Sequence, residues 1–347
     1  MQSLTAKNRG EWGFSMVELI VALALGVVLA AGISSVYLEN RKNYVMDEEM
    51  ARLQENGRFA IDTLKREIKM AGFYGGVGML PDTVPVVAMG CMASDQWTLN
   101  LSTPIDFIND AENGEELPKT SADANLENCI PSTDVSSSVS SDVLALKRLA
   151  DRPTMISKVV DPSVISESGV ISPRAGWYLV ANSSSSTFRR SNTGLFVGAV
   201  ANGSGDNSGA EVWHYQSKIY WVRNCSVCFP EKDKIPTLVV TYLENDTYKT
   251  EALVEGVEVF HLEFGLAATA GEFTPTTFKS NPLSTELELV RAVRVFLLMR
   301  TRQPASGYIN TNVYTLGSKD PIDKGKNPDA YRRKLFMTTI STPNISL

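Results

Sequence analysis

The sequence predicts an α+β fold in which one long amino-terminal helix packs on an antiparallel β-sheet domain. Three patterns along the 347 residues support this class. Residues 19–33 form an apolar run, and the polar stretch behind them carries apolar residues at helical spacing. The carboxyl-terminal third contains short, partly alternating runs of β-branched and aromatic residues. We therefore expect one helix to precede a sheet that occupies most of the chain.

A polar leader, residues 1–13, ends at Gly13 and is followed by a segment of bilayer length, residues 14–38, whose one charged residue is Glu18. A lone carboxylate in a membrane segment costs about 2 kcal/mol or more when unpaired, so it marks a function and needs a partner. Cleavage after Gly13 would create an α-amine on Phe14. In a stack of parallel helices, Glu18 could then reach a neighbour's amine, which predicts a role in assembly.

Two simpler interpretations of this segment remain open. A secretory signal would place its small-residue cleavage site after the apolar run, at residues 30–32. A plain single-pass anchor explains the length but leaves Glu18 and the Gly13-Phe14 pair without a role. Gly26 and Gly32 are the weak points of the helix, and local melting on assembly is a hypothesis that rests on Gly32.

Residues 13–23, Gly-Phe-Ser-Met-Val-Glu-Leu-Ile-Val-Ala-Leu, resemble the class III signal of type IV prepilins and pseudopilins. The resemblance implies that a prepilin peptidase cuts after Gly13 and methylates the new amino terminus at Phe14. It also implies that residues 14–38 serve as the transmembrane and polymerisation helix, with Glu18 as the assembly residue.

Residues 39–71 are predicted to continue the helix for roughly 50 Å at 1.5 Å per residue, within an amphipathic segment that we assign to residues 39–75. Its apolar stripe should pack on the globular domain, and Gly72 suits a left-handed carboxyl-terminal cap. The residues at spacings of three, four or seven are Met46, Met50, Leu53, Ala60, Ile61, Leu64 and Ile68.

Several segments resemble the PilW-type minor pilins and imply a type IV pilin-like fold. In the helix, the resemblance lies in Asn-Gly-Arg-Phe-Ala at 56–60 and Met-Ala-Gly-Phe at 70–73. In the domain, residues 253–257, 290–300 and 331–339 also resemble the corresponding PilW segments. The likeness is strong over residues 10–75 and 218–300, whereas residues 90–210 match in fragments.

Residues 76–347 are expected to form an extracytoplasmic, β-rich globular domain. Residues 91–141 read as loops, and Asn245-Asp246 as a hairpin turn between strands of one antiparallel sheet. The predicted strands are 84–89, 141–148, 176–180, 211–215, 218–223, 237–243, 248–254, 257–264, 292–299 and 331–339.

The formal net charge of −6 argues against a general nucleic-acid binder, since phosphate binding rests on clustered basic residues. Four cysteines in a domain outside the cytoplasm favour disulfides, and three pairings are possible. The simplest pairing joins Cys225 to Cys228, which closes a short local loop, and Cys91 to Cys129, which spans the polar stretch between them.

The sequence contains no constellation for catalysis and no recognisable cofactor or metal motif. Cys225 and Cys228 have the spacing of a thiol-disulfide redox motif, but they follow a predicted strand. A structural disulfide that holds the loop is therefore favoured over a redox site. The two histidines, His214 and His261, lie in strand-like runs and are expected to be packed residues. We therefore predict that the protein is not an enzyme.

The resemblance implies a minor pilin of the type IV pilus tip or initiation complex, which primes assembly and supports adhesion or twitching motility. The implied partners are minor and major pilins, the prepilin peptidase, the inner-membrane assembly platform and a tip-associated PilY-type adhesin. The implied location is the inner membrane, with the domain periplasmic, and then the pilus tip. The alternatives are a J-type minor pseudopilin of type II secretion and, more distantly, a membrane-tethered surface-binding module.

Overall fold

The computed structural model describes residues 13, 15–75, 77, 79–81, 85, 87, 97–111, 130, 140–156, 159–160, 176–181, 185–191, 211–244 and 246–345. Phe14, Cys91, Cys129, Asn245 and most of the predicted strand 84–89 lie outside these residues. The chain divides into two compact units, Met1–Met50 and Ala51–Leu347.

One helix, α1 (Met16–Met70), runs without interruption for 55 residues and covers most of both predicted helical segments. It ends at Met70, one residue before the predicted last helical residue Ala71. Gly72 adopts φ 74°, as expected of a left-handed cap, and its N–H donates to the carbonyl of Lys147 at 3.0 Å. The carbonyl of Phe73 accepts from the N–H of Leu149 at 2.8 Å. The helix therefore stops where the backbone turns to pair with a strand.

A nine-stranded sheet is organised around the 13-residue strand β7, and all its pairs are antiparallel. The first part of β7 pairs with β5 and β3, and its second part pairs with β2 and β8. Its strands are β1 (Ile105–Ala111), β2 (Ser141–Leu149), β3 (Met155–Ile156), β4 (Val159–Val160), β5 (Gly176–Ala181), β6 (Ser186–Ser191), β7 (Glu211–Arg223), β8 (Thr237–Glu244) and β9 (Thr247–Glu255).

The strand predictions at 211–215 and 218–223 merge into β7, because Gln216 and Ser217 between them continue the pairing with β2. Strand β1 lies in the region predicted as loop, and a short 3-10 helix, Trp97–Leu99, precedes it. Both differences lie in the part of the chain where polar residues interrupt the apolar pattern.

A second, four-stranded sheet has the order β11-β10-β12-β15. The prediction of one sheet is therefore wrong. The chain leaves the first sheet at Gly256, whose N–H donates to Pro236 and whose carbonyl accepts from Arg300. The remaining elements are β10 (Val257–Leu266), β11 (Thr277–Lys279), the 3-10 helix Ser284–Leu289, β12 (Val290–Arg300), β13 (Val313–Tyr314), β14 (Ile322–Asp323) and β15 (Arg333–Ser341).

The main core of the second unit joins the last part of α1 to both sheets. The predicted stripe supplies Leu53, Ala60, Leu64 and Ile68, all buried. They pack in one cluster with β-strand residues that include Phe107, Leu144, Tyr220, Phe264, Leu297 and Ile340. The predicted α+β class, with a long amino-terminal helix and antiparallel sheets, is confirmed.

Candidate functional site

The first part of α1 exposes apolar side chains on every side of the helix. Their exposed fraction ranges from 51% at Val21 to 81% at Met16. Successive residues such as Val27, Val28 and Leu29 are all exposed, so the apolar surface is not a stripe. A helix of this kind is stable only where apolar material surrounds it. The exposed residues are Met16, Val17, Leu19, Ile20, Val21, Leu23, Leu25, Val27, Val28, Leu29, Ile33, Val36, Tyr37 and Leu38.

The length of this surface matches a bilayer. Residues 16–38 extend about 35 Å at 1.5 Å per residue, and a hydrocarbon core is about 30 Å thick. Within the described residues, α1 is the one helix long and apolar enough to cross a membrane. The segment is compatible with membrane anchoring.

Glu18 lies in the first turn of α1, with its side chain exposed. A carboxylate at this end of a helix interacts favourably with the helix dipole, by about 0.3–1 kcal/mol. Gly13 is described just before the helix, while Phe14 is outside the described residues. The pairing of Glu18 with an α-amine on Phe14 therefore stays a prediction.

Gly26 and Gly32 are helical, and a Cβ at either position would meet nothing within 4 Å. The Ser35 hydroxyl donates to the carbonyl of Gly32 at 2.8 Å. Among the described residues, nothing packs closely against either glycine. Melting of the helix at Gly32 during assembly stays a prediction.

The last part of α1 is held by a buried charge cluster that the sequence did not reveal. The guanidinium of Arg148 donates to both oxygens of Glu67, at 3.0 and 3.1 Å, and the Lys218 ammonium donates at 2.8 Å. Burial by itself raises the pKa of the Glu67 carboxyl, but these two cations outweigh it and hold that pKa below its ordinary value. The sequence contained one sign of this cluster, because Glu67 lies between Leu64 and Ile68 on the side of the helix that faces the core.

The structure joins Cys225 to Cys228 in a disulfide with a Cα–Cα distance of 5.4 Å. The loop is also held by Asp233, whose carboxylate accepts from the N–H groups of Ser226 and Val227 at 2.8 and 2.9 Å. The pair follows β7 rather than starting a helix, which supports a structural staple over a redox site. The predicted pair of Cys91 and Cys129 lies outside the described residues.

The two histidines occupy different surroundings. His214, in β7, lies edge-on to Tyr178 of β5, with ring centroids 5.1 Å apart. His261, in β10, is 1% exposed, and its Nδ1 lies 3.0 Å from a carboxylate oxygen of Asp142. Both are packed in the sheets, as expected.

Residues 219–344 match the family model PilW, Type IV Pilus-assembly protein W. The match starts within β7 and ends just after β15, so it covers the end of the first sheet and all of the second. This is a family of pilus-assembly proteins and not of enzymes. No curated protein matches the chain.

Among solved structures, the type IV-like pilin TTHA1219 from Thermus thermophilus is similar at 11% identity, with a TM-score of 0.35. The alignment covers 85% of this chain and 98% of that one. A likeness this distant supports no inference about function. The family match over residues 219–344 confirms the predicted resemblance to the PilW type IV pilus-assembly family.

Proposed function

We propose that the protein is a minor pilin, a structural subunit of the type IV pilus that acts in the tip or initiation complex. In this role it primes pilus assembly and supports adhesion or twitching motility. The observation that carries the proposal is the exposed, predominantly apolar surface of α1 over residues 16–38, with Glu18 in its first turn. In a soluble domain such a surface would be exposed to water, which is unfavourable.

The proposed precursor has a leader at residues 1–13, a membrane and polymerisation helix at 14–38 and an amphipathic continuation at 39–75. Residues 76–347 form the domain on the periplasmic side of the inner membrane. Cleavage after Gly13 by a prepilin peptidase and methylation of Phe14 give the mature subunit. The inner-membrane assembly platform then moves it into the growing pilus.

Assembly exchanges one apolar environment for another. In the bilayer the side chains of residues 16–38 contact lipid, and in a helical stack they contact the same segment of neighbouring pilins. Because both surroundings are apolar, the transfer supplies little hydrophobic driving force and specificity must come from packing and polar contacts. Glu18 supplies the polar contact, since in an apolar stack an unpaired carboxylate is costly and a neighbour's α-amine neutralises it.

The proposed partners are the other minor pilins, which form the complex, and the major pilin, which continues below it. A PilY-type adhesin is the proposed partner at the tip. The PilW match supports partners within the pilus machinery, and we propose in addition a position in the tip complex.

The test compares Glu18→Ala with the control Glu39→Ala, which removes an exposed carboxylate just beyond the apolar segment. Mass spectrometry should find a mature chain that starts at N-methylated Phe14 in the wild type and in both variants. Recovery of the protein with other pilins after membrane solubilisation should fall for Glu18→Ala alone. Normal pilus formation and normal recovery of Glu18→Ala would contradict the proposal, and so would a mature chain that starts near Gly32.

A further inference from the structure

We propose that Asp110, Asp142 and His261 form a binding site for a divalent transition-metal ion of the zinc type. The site lies where the two sheets meet: Asp110 is near the end of β1, Asp142 is near the start of β2, and His261 is within β10. The sequence shows no metal motif because the three residues come from three separate strands.

The three side chains are close enough to share one ion. A ligand atom from each lies within 4.8 Å of the others. Zinc binds nitrogen and oxygen ligands at about 2.0–2.2 Å, which places ligand atoms about 3–4 Å apart around the ion. Small side-chain rotations therefore suffice to complete the site.

His261 gives the independent indication that a ligand belongs here. Its side chain is 1% exposed, yet neither ring nitrogen has a hydrogen-bond partner among the described residues. Its Nδ1 faces an oxygen of Asp142 at 3.0 Å without the geometry of a hydrogen bond. Buried polar groups normally have partners, so an imidazole left in this state is unfavourable. A metal ion bound by the Asp142 carboxylate and by Nδ1 of His261 would give that nitrogen a partner.

The backbone already orients the Asp142 carboxylate. One oxygen accepts from the N–H of Leu262 at 2.7 Å, and the other accepts from the N–H of Asp110 at 3.0 Å. Metal-binding carboxylates are typically fixed by such outer hydrogen bonds, and each oxygen keeps a further lone pair for a metal. Asp142 is therefore positioned before an ion arrives.

Asp110 supplies access from solvent. It lies in an irregularity of the β1–β2 pairing, has φ 54°, and its side chain is 42% exposed. Bulges of this kind redirect a side chain and often occur beside functional sites. With His261 and Asp142 almost fully buried, an ion would enter past Asp110.

Lys319 is the competing cation. Its ammonium contacts Asp110 and donates to the Ser140 hydroxyl at 2.8 Å, and its side chain is 6% exposed. It neutralises Asp110 when no metal is bound and must move aside when one binds. One imidazole and two carboxylates suit zinc, cobalt or manganese better than the all-oxygen sites that calcium and magnesium prefer.

The test uses the full-length protein in detergent, stripped with a chelator after all thiols have been alkylated to exclude zinc bound by cysteine. Calorimetric titration with Zn²⁺, and elemental analysis after gel filtration, should show one ion per chain. Asp110→Asn should weaken binding more than about 100-fold, since loss of an outer-shell partner alone costs about 10–100-fold. Lys319→Met should tighten binding by about 10-fold because it removes a nearby positive charge. The neighbouring Asp320→Asn, outside the cluster, should bind as the wild type does.

Co²⁺ in place of Zn²⁺ should give a visible absorption band in the wild type and in Lys319→Met, and a much weaker one in Asp110→Asn. This readout does not depend on His261 variants, which could fail to fold because the ring is buried. Absence of zinc binding by the wild type would overturn the proposal. Equal affinities for the wild type, Asp110→Asn and Lys319→Met would also overturn it, as would weaker binding by Lys319→Met. None of these results bears on the role in pilus assembly.

Discussion

Gly57 of α1 lies directly against the ring of Phe336 in β15, and a Cβ at Gly57 would overlap with carbons of that ring. Glycine costs about 1 kcal/mol in a helix interior relative to alanine, so its presence here needs a reason. The reason is close packing of the helix on the edge strand of the second sheet. The adjacent Asn56 joins the helix to the first sheet, since its side-chain amide donates to the carbonyl of Glu255 at 3.2 Å.

Gly57→Ala should lower the free energy of unfolding by about 1–3 kcal/mol, because overpacking a filled site outweighs the gain in helix propensity. Urea denaturation of the full chain in detergent measures this change. In the background of Phe336→Leu, which has a smaller side chain, Gly57→Ala should cost less stability than it does in the wild type. A Gly57→Ala variant as stable as the wild type would show that the Phe336 ring moves aside freely.

The charge cluster of Glu67, Arg148 and Lys218 predicts a large effect from a small change. Glu67→Gln keeps the shape of the side chain but leaves two cations without their counter-charge. The expected loss of stability is about 2–3 kcal/mol, below the roughly 3–5 typical of breaking a fully buried pair. The lower figure follows from the exposure of Lys218, whose side chain is 25% exposed.

The matched control is Glu244→Gln, which breaks the exposed pair of Glu244 with Lys249. Exposed pairs contribute about 0–1 kcal/mol, so denaturation of this variant should differ little from that of the wild type. Similar losses in Glu67→Gln and Glu244→Gln would contradict the structural role of the buried cluster.

The pH dependence of stability should report on Asp329. Its carboxylate accepts two hydrogen bonds from Arg333 at 2.6 Å. Burial on its own raises the pKa of Asp329, but the contacts with Arg333 dominate and lower that pKa from 3.8 to about 2. A lowered folded-state pKa means that the unfolded chain takes up the proton first. The stabilisation is therefore complete above about pH 4 and is lost as the pH falls towards 2.

Asp329→Asn should accordingly be less stable than the wild type at pH 7, and the difference should shrink between pH 4 and pH 2. Thermal unfolding followed by circular dichroism over this range provides the measurement. A difference that stays constant down to pH 2 would show that Asp329 does not titrate in this window.

The elements that the sequence predicted well are those in which one physical signal dominates. Four of the seven residues in the predicted stripe are buried as expected, while Met46, Met50 and Ile61 are half-buried. Strand β1 was missed because Asp106 and Asp110 interrupt its apolar alternation, although Asp106 is fully buried. Its identity as a strand depends on pairing with β2, which no local pattern encodes.

The charge cluster at Glu67 and the grouping of Asp110, Asp142 and His261 were missed for a related reason. Each group combines residues from elements far apart in the chain, and single polar residues within apolar runs look alike whether they are paired or exposed. The local disulfide of Cys225 and Cys228, by contrast, could be predicted because its spacing is itself the signal.

The disulfide between Cys225 and Cys228 should contribute little to overall stability. A bridge that closes so short a loop restricts the unfolded chain by about 2 kcal/mol at most on the chain-entropy model. The Asp233 hydrogen bonds hold the same loop independently. The double variant Cys225→Ser, Cys228→Ser should therefore still fold and unfold cooperatively in denaturant, with a loss no larger than this. A protein that fails to fold without the bridge would contradict this prediction.

Gly32 should matter for assembly and not for the isolated chain. A Cβ at Gly32 meets nothing within 4 Å, so Gly32→Ala should leave the folded subunit unchanged while stabilising the local helix by about 1 kcal/mol. If the helix melts at Gly32 when the subunit enters the pilus, this added stability opposes incorporation. Gly26→Ala is the matched control, since Gly26 is equally open and lies within the same apolar run. Recovery in sheared pili should fall for Gly32→Ala relative to Gly26→Ala at equal amounts of membrane precursor, and equal recovery of the two variants would rule out melting at this glycine.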